Sequence, residues 1–107
     1  MSPQVLQVLL SLHAEPRHGY AIIQDIRDRT GQQIRLTAST LYDALARLLD
    51  QGLIREIETP ADERDSRRRS YELTALGRQA MAREIARLEE VLRSARSVRR
   101  PKKGTAR

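Results

Sequence analysis

The side chains with the clearest potential for chemistry lie between His13 and His18. The imidazoles of His13 and His18 flank the carboxylate of Glu15, and divalent metals accept both kinds of ligand. The alternative interpretation is structural, with His18 capping or packing at the start of a helix and His13 in solvent. Two histidines rarely hold a metal without further ligands. The segment therefore predicts no required cofactor and, at most, a divalent metal bound as an effector by His13, Glu15 and His18.

The rest of the sequence offers little that supports catalysis. The 107 residues include no cysteine, so disulfides and thiolate metal sites are excluded, which fits a reducing cytosol. No glycine-rich phosphate loop is present, and neither histidine has a serine or aspartate at a recognisable catalytic spacing. The N-terminal segment lacks a basic leader, and no apolar run approaches the roughly 20 residues that span a bilayer. We expect a cytoplasmic protein that is not an enzyme and has no membrane partner.

The positive charge of the chain is concentrated at its C-terminal end. The formal net charge is +6, from 20 basic and 14 acidic residues. Seven of the basic residues and none of the acidic ones follow Glu90, so residues 1–92 hold 13 basic and 14 acidic residues, a net charge of −1. A basic tail is weak support for nucleic-acid binding. Evidence for nucleic-acid binding must therefore come from the arrangement of residues 1–92.

Hydrophobic spacing and capping residues predict four helices and two strands. Three helices come first, two strands joined by a polar loop follow, and a long helix ends the fold. This order is that of a winged helix-turn-helix with an added C-terminal helix. The predicted elements are a helix from Ser2-Pro3 to Pro16, one from about Gly19 to Arg29 with Gly31 as its stop, one from Thr37 to Gly52, strands Leu53 to Glu58 and Arg69 to Leu73, and a helix from Thr74 to about Ser97.

These elements predict a mainly α fold with a small β-hairpin. We assign residues 1–73 to a winged helix-turn-helix DNA-binding domain and residues 74–98 to a C-terminal dimerisation helix. Residues 99–107, rich in lysine and arginine, are expected to form a disordered basic tail.

The third helix has a polar outer face suited to the DNA major groove. With Leu41, Leu45, Leu48 and Leu49 placed inward, the outward residues include small hydrogen-bonding side chains in the N-terminal half, the half that a recognition helix presents to base edges. Asp43 is repelled by phosphates unless it accepts a hydrogen bond from cytosine or holds Arg47 in place. The alternative is an ordinary amphipathic surface helix. The candidate DNA contacts on this helix are Ser39, Thr40, Asp43 and Arg47, with Tyr42 at the edge of the inward stripe.

The loop between the two strands is basic and follows the third helix directly, where a wing meets the phosphate backbone. Its candidate DNA contacts are Arg64, Arg67, Arg68 and Arg69. The alternative is a solvated loop whose acidic residues neutralise the arginines.

The last helix carries an apolar stripe with heptad spacing, narrower than a face that packs on its own domain. The first helix is apolar on nearly every side, which also suggests a partner. We predict that the two helices pair with a second copy of the chain across a two-fold axis. The alternative is a last helix that packs only on its own domain. The predicted dimer residues are Val5, Leu9, Met81, Ile85, Leu88, Leu92 and Ala95.

Four segments, in order and with the expected spacing, resemble the PadR-type transcriptional regulators. They are His18-Gly19-Tyr20, the stretch from Leu36 to Tyr42, Leu48 with Gly52-Leu53-Ile54, and the stretch from Arg68 to Gly77. The chain departs from the family at Ala38-Ser39, where members often have Pro-Gly.

The resemblance implies a cytoplasmic bacterial repressor that binds a palindromic operator as a homodimer and is released by a small molecule or another signal. A single C-terminal helix places the chain with the short members of the family. Carried over by motif, Tyr20, Ser39, Thr40 and Tyr42 lie at or near the DNA. The chain lacks tryptophan and phenylalanine, so an effector stacked between such side chains is excluded.

A second class of function stays open, namely a protein-interaction module that keeps the winged fold without specific DNA binding. The near-neutral net charge of residues 1–92 favours this protein-interaction module. RNA binding is disfavoured, because stacking aromatic residues are missing from the strands.

Overall fold

The structure, a computed structural model, describes residues 1–58 and 69–99. Helices predominate and a small antiparallel sheet completes the fold, as predicted. The elements are α1 (Pro3–Ala14), β1 (Arg17–His18), α2 (Gly19–Arg29), α3 (Ala38–Asp50), β2 (Ile54–Glu58), β3 (Arg69–Leu73) and α4 (Ala75–Arg99). Within the described residues, no helix is both long enough and apolar enough to cross a membrane.

The helix ends follow from capping residues and glycines. The Ser2 hydroxyl accepts a hydrogen bond from the Val5 N–H at 3.1 Å, which caps α1, with proline in the first turn. Thr37 caps α3 through a bond from the Thr40 N–H, also 3.1 Å. Gly52, after α3, has a φ of +74°, a left-handed conformation that glycine adopts without a steric penalty. These signals are local, and the bounds of α2 and α3 were accordingly predicted well.

The sheet has three strands in the order β1-β3-β2, all antiparallel. The prediction of a two-stranded hairpin was therefore incomplete. Arg17 pairs with Tyr71 and His18 with Ser70, so β1 covers the outer edge of β3. Strand β2 begins at Ile54, one residue later than predicted.

One hydrophobic core joins α1, α2, α3, the sheet and the first half of α4. Its most buried side chains are Val8, Leu9, Leu12, Ile22, Ile26, Leu41, Leu45 and Leu48. Leu49, predicted to point inward, is exposed at the edge of α3. The other three leucines predicted to point inward, Leu41, Leu45 and Leu48, are buried.

The start of α4 is fastened to the turn between α3 and β2. The Thr74 hydroxyl donates to the Gly52 carbonyl at 2.7 Å and accepts a bond from the Gly77 N–H at 3.0 Å. The Thr74 N–H donates to the Leu53 carbonyl at 3.1 Å. A Cβ built at Gly77 would overlap that same carbonyl, so glycine permits this close approach of backbone to backbone.

Candidate nucleic-acid interface

The N-terminal half of α3 presents a polar surface to solvent. The side chains predicted to face DNA are all exposed, namely Ser39, Thr40, Tyr42, Asp43 and Arg47. Opposite them, Leu41, Leu45 and Leu48 anchor the helix in the core. The buried leucines therefore hold the helix in place while its polar face stays accessible to solvent, as recognition of a DNA groove requires.

Tyr42 packs over the start of α2. A Cβ built at Gly19 would overlap the Tyr42 hydroxyl and lie 2.9 Å from the ring carbon that bears it. Half of Tyr42 remains exposed, 50% by relative area, so the end of its ring packs against α2 while the rest of the residue is open to solvent. Tyr20 is also exposed, next to Gly19 on the first turn of α2. The two tyrosines predicted to lie near DNA thus flank one glycine.

Tyr71 of β3 lies behind this cluster. Burial raises the pKa of the Tyr71 hydroxyl, and the charge of Glu56 and the nearby Tyr42 raise it further. The residue stays neutral at physiological pH. Tyr71 therefore contributes to the core as a buried, uncharged side chain.

Asp43 and Arg47 do not form the ion pair that their spacing allows. Both line a cavity of about 170 Å³ between α3 and the N-terminal turn of α1, together with Thr40, Gln4 and the apolar Val5. Within the described ranges, neither Asp43 nor Arg47 has an ion-pair partner. No described residue therefore competes with a phosphate or a base for the Arg47 guanidinium.

The sheet contributes one of the four predicted wing arginines to the described structure. Arg69 pairs with Glu56 on the neighbouring strand, with its Nη1 atom 3.1 Å from Glu56 Oε2, and this hydrogen bond raises the pKa of the guanidinium. The charge of Arg69 is therefore already matched within the sheet. Arg64, Arg67 and Arg68 lie outside the described residues.

The three candidate metal ligands are not gathered into a site. The His18 Nδ1 atom accepts a bond from the Ala21 N–H at 3.3 Å, which caps α2 as the structural interpretation of the motif predicted. Glu15 pairs with Arg17 at 3.4 Å. His13 lies at the end of α1, with its Nδ1 atom 3.4 Å from Arg78 Nη1. Among the residues that the structure describes, no group of three or more potential ligands forms a metal site.

The predicted dimer residues fall into two groups. Leu9 and Met81 are buried in the core of their own chain, with 0% and 5% exposure, and Val5 and Ile85 pack against that core. Leu9 and Met81 therefore cannot belong to a subunit surface, because their neighbours within the chain already cover them. Leu88, Leu92 and Ala95 remain exposed.

Two further apolar residues of α4 extend the exposed group. Val91 and Val98 are 52% and 81% exposed, and a helical wheel places both beside Leu88 and Leu92. The sequence prediction omitted Val91 and Val98 because it included only residues with alternating spacings of four and three. A wider stripe, typical of helix faces in globular cores, includes them.

Comparisons with known proteins identify the family to which the chain belongs. Residues 8–83 match the family described as the transcriptional regulator PadR-like family. No curated protein matches the chain. A transcriptional regulator from Clostridium thermocellum has a similar structure, with a TM-score of 0.75 and 25% identity over 87% of this chain and 89% of that one.

Two further solved structures agree with this match. A PadR family transcriptional regulator from Eggerthella lenta gives a TM-score of 0.76 and 25% identity over 92% of this chain and 83% of that one. Bacillus subtilis PadR, solved in complex with operator DNA, gives 0.69 and 25% over 79% of this chain and 48% of that one, so this chain spans about half its length. Members of the matched family are transcriptional regulators, not enzymes. Since the match covers most of the chain, this protein belongs to the PadR-like family of transcriptional regulators.

Proposed function

We propose that this protein is a repressor that binds a palindromic operator as a homodimer, with one α3 helix in the major groove of each half-site. The observation that carries the proposal is the open polar face of α3, where Ser39, Thr40, Asp43 and Arg47 are exposed above a buried leucine stripe. Short hydroxyl side chains allow the helix backbone to approach base edges closely. The operator complex of Bacillus subtilis PadR supports DNA as the ligand.

The homodimer is proposed from the second half of α4. From Ala86 to Val98 every residue of the helix is exposed, and Leu88, Val91, Leu92, Ala95 and Val98 lie along one side. A helix that projects an apolar side beyond its own core needs a partner. A second copy of the same helix is the simplest one, because a two-fold axis makes the surface self-complementary.

Release of the operator by a small molecule stays a prediction from the family resemblance, and release by a metal stays a prediction from the segment between His13 and His18. The separation of His13, Glu15 and His18 in the structure argues against those three residues as a metal-binding effector site.

Footprinting on the DNA just upstream of the protein's own gene tests the proposal. We expect protection of two half-sites about one helical turn apart, and we expect it to persist in moderate salt after removal of residues 101–107. Binding through the basic tail alone would collapse under both conditions. Absence of protection at micromolar protein would refute the proposal and favour the protein-interaction module.

Paired arginine variants locate the contact surface. Arg47→Ala should weaken operator binding by about 1–3 kcal/mol if the guanidinium reads a base, or lower the salt slope by about one if it contacts a phosphate. Arg78→Ala is the matched control, because Arg78 is also exposed but lies beside His13, at the opposite end of α1 from the Arg47 cavity. Equal losses in both variants would mean that α3 is not the DNA-binding element.

A further inference from the structure

Asp43 occupies the most outward line of the recognition helix. Helical geometry places it between Ser39, one turn earlier, and Ala46, about one turn later, and all three side chains are exposed. The flanking residues are too short to shield the carboxylate. Any groove that receives α3 therefore meets Asp43 directly.

A carboxylate at this position is repelled by the phosphates that line the groove. An ion pair with Arg47 would relieve the repulsion, but none forms, and Asp43 has no ion-pair partner within the described parts of the chain. The positive end of the helix dipole stabilises negative charge in the first turn of α3, and Asp43 lies beyond that turn. No described residue stabilises the carboxylate, whereas the major groove itself contains hydrogen-bond donors that can do so.

The major groove offers hydrogen-bond donors at only two places, the N4 amino group of cytosine and the N6 amino group of adenine. On adenine the amino group adjoins the N7 acceptor, whose lone pair repels a carboxylate. Cytosine has no acceptor on its major-groove edge. The chemistry of the bases thus selects cytosine.

We propose that Asp43 is a specificity-determining residue that accepts a hydrogen bond from the N4 amino group of one cytosine in each operator half-site. This inference rests on the proposed function, since it needs α3 in the major groove. Asp43 contributes little to total affinity under this assignment, because its hydrogen bond is offset by repulsion from the phosphates. Its effect is to penalise every other base at that position.

Selection from a randomised duplex DNA pool tests the inference, with the full chain and three variants. The wild type should select a site with an invariant cytosine in each half, and replacement of that base pair should weaken binding about tenfold. Asp43→Ala should bind all four bases at that position within about twofold. Asp43→Asn should shift the preference toward adenine, whose N6 and N7 atoms match a side-chain amide.

Asp50→Ala is the matched control. Asp50 lies two turns further along the same outward line of α3 and is also exposed, but it sits at the C-terminal end of the helix, away from the half that the proposal places against the bases. Its removal deletes the same charge and should leave the cytosine preference intact. Circular dichroism on each variant confirms that α3 is folded.

The outcomes separate this inference from the proposed function. If the wild type selects no sequence, the proposed function fails and takes the inference with it. If the wild type selects a site and Asp43→Ala keeps the same base preference at every position, the inference alone is overturned. Loss of the preference in Asp50→Ala as well would also overturn it, because charge and not contact would then be responsible.

Discussion

The exposed half of α4 yields a quantitative expectation for dimerisation. Leu88 and Leu92 are 38% and 49% exposed in the single chain, so the two together leave a little under one whole leucine side chain uncovered per protomer. Complete burial of a leucine contributes about 1.5–3 kcal/mol. The double variant Leu88→Ala/Leu92→Ala acts twice in a symmetric dimer and retains the Cβ atoms, so it should cost about 2–4 kcal/mol of association free energy.

That loss corresponds to a dissociation constant raised by roughly 30-fold to 700-fold, at 1.4 kcal/mol per tenfold. Sedimentation equilibrium over nanomolar to micromolar protein measures it directly. Alanine has the highest helix propensity, so α4 itself should remain folded, which circular dichroism checks. Operator binding should weaken in parallel and recover at protein concentrations above the new dissociation constant, because α3 is untouched.

Leu76→Ala provides the matched control. Leu76 lies on the same helix and is 52% exposed, but it sits beside Gly52 at the opposite end of α4. Its removal should leave the dissociation constant within about twofold. An unchanged constant in the double variant, an equal loss in Leu76→Ala, or a monomeric wild type at micromolar concentration would each refute the dimer as we describe it.

Three further predictions concern contacts within the fold of the single chain. Gly19→Ala should displace the Tyr42 ring and weaken operator binding with little loss of thermal stability, and a double-mutant cycle should find no added effect in a Tyr42→Ala background. Gly77→Ala, whose new Cβ meets a backbone carbonyl, should lower the free energy of unfolding by about 1–3 kcal/mol, while Gln79→Ala on the exposed side of the same helix should change it by less than about 0.5 kcal/mol. Burial raises the pKa of the Asp25 carboxyl, but bonds and charges from neighbouring arginines outweigh burial and hold the pKa below its ordinary value. Wild type should therefore exceed Asp25→Asn in stability at neutral pH by about 1–2 kcal/mol, and urea unfolding should find the difference vanishing as the pH falls through the folded-state pKa.

Elements defined by local signals were predictable from the sequence, and elements defined by distant contacts were not. Thr37 and Gly52 mark the ends of α3 through their own conformations. The two residues of β1 have no periodicity to detect, and they form a strand only because Tyr71 and Ser70 of β3 lie opposite them. Pairing across more than 50 residues leaves no mark on a two-residue segment.

The candidate site follows the same division. The exposure of Ser39 and Asp43 could be predicted, because helical geometry fixes which residues oppose a leucine stripe. The role of Gly19 could not, since the need for a missing Cβ arises from the Tyr42 ring on another helix. Likewise, a sequence motif cannot distinguish a metal-binding imidazole from the one that caps α2 at His18.

The α4 stripe is continuous in the sequence but divided in the structure, and the division has a consequence for recognition. Met81 binds the helix to its own core, while the bonds of Thr74 and the close approach at Gly77 fasten its start to the turn that ends α3. The direction of α4 relative to α3 is therefore set by the Thr74 hydrogen bonds, the close backbone approach at Gly77 and the packing of Met81 in the core. In the proposed homodimer, Leu88 and Leu92 contribute the free energy of association. Because the start of α4 is fixed relative to α3, the position of the dimer axis then determines the distance between the two recognition helices.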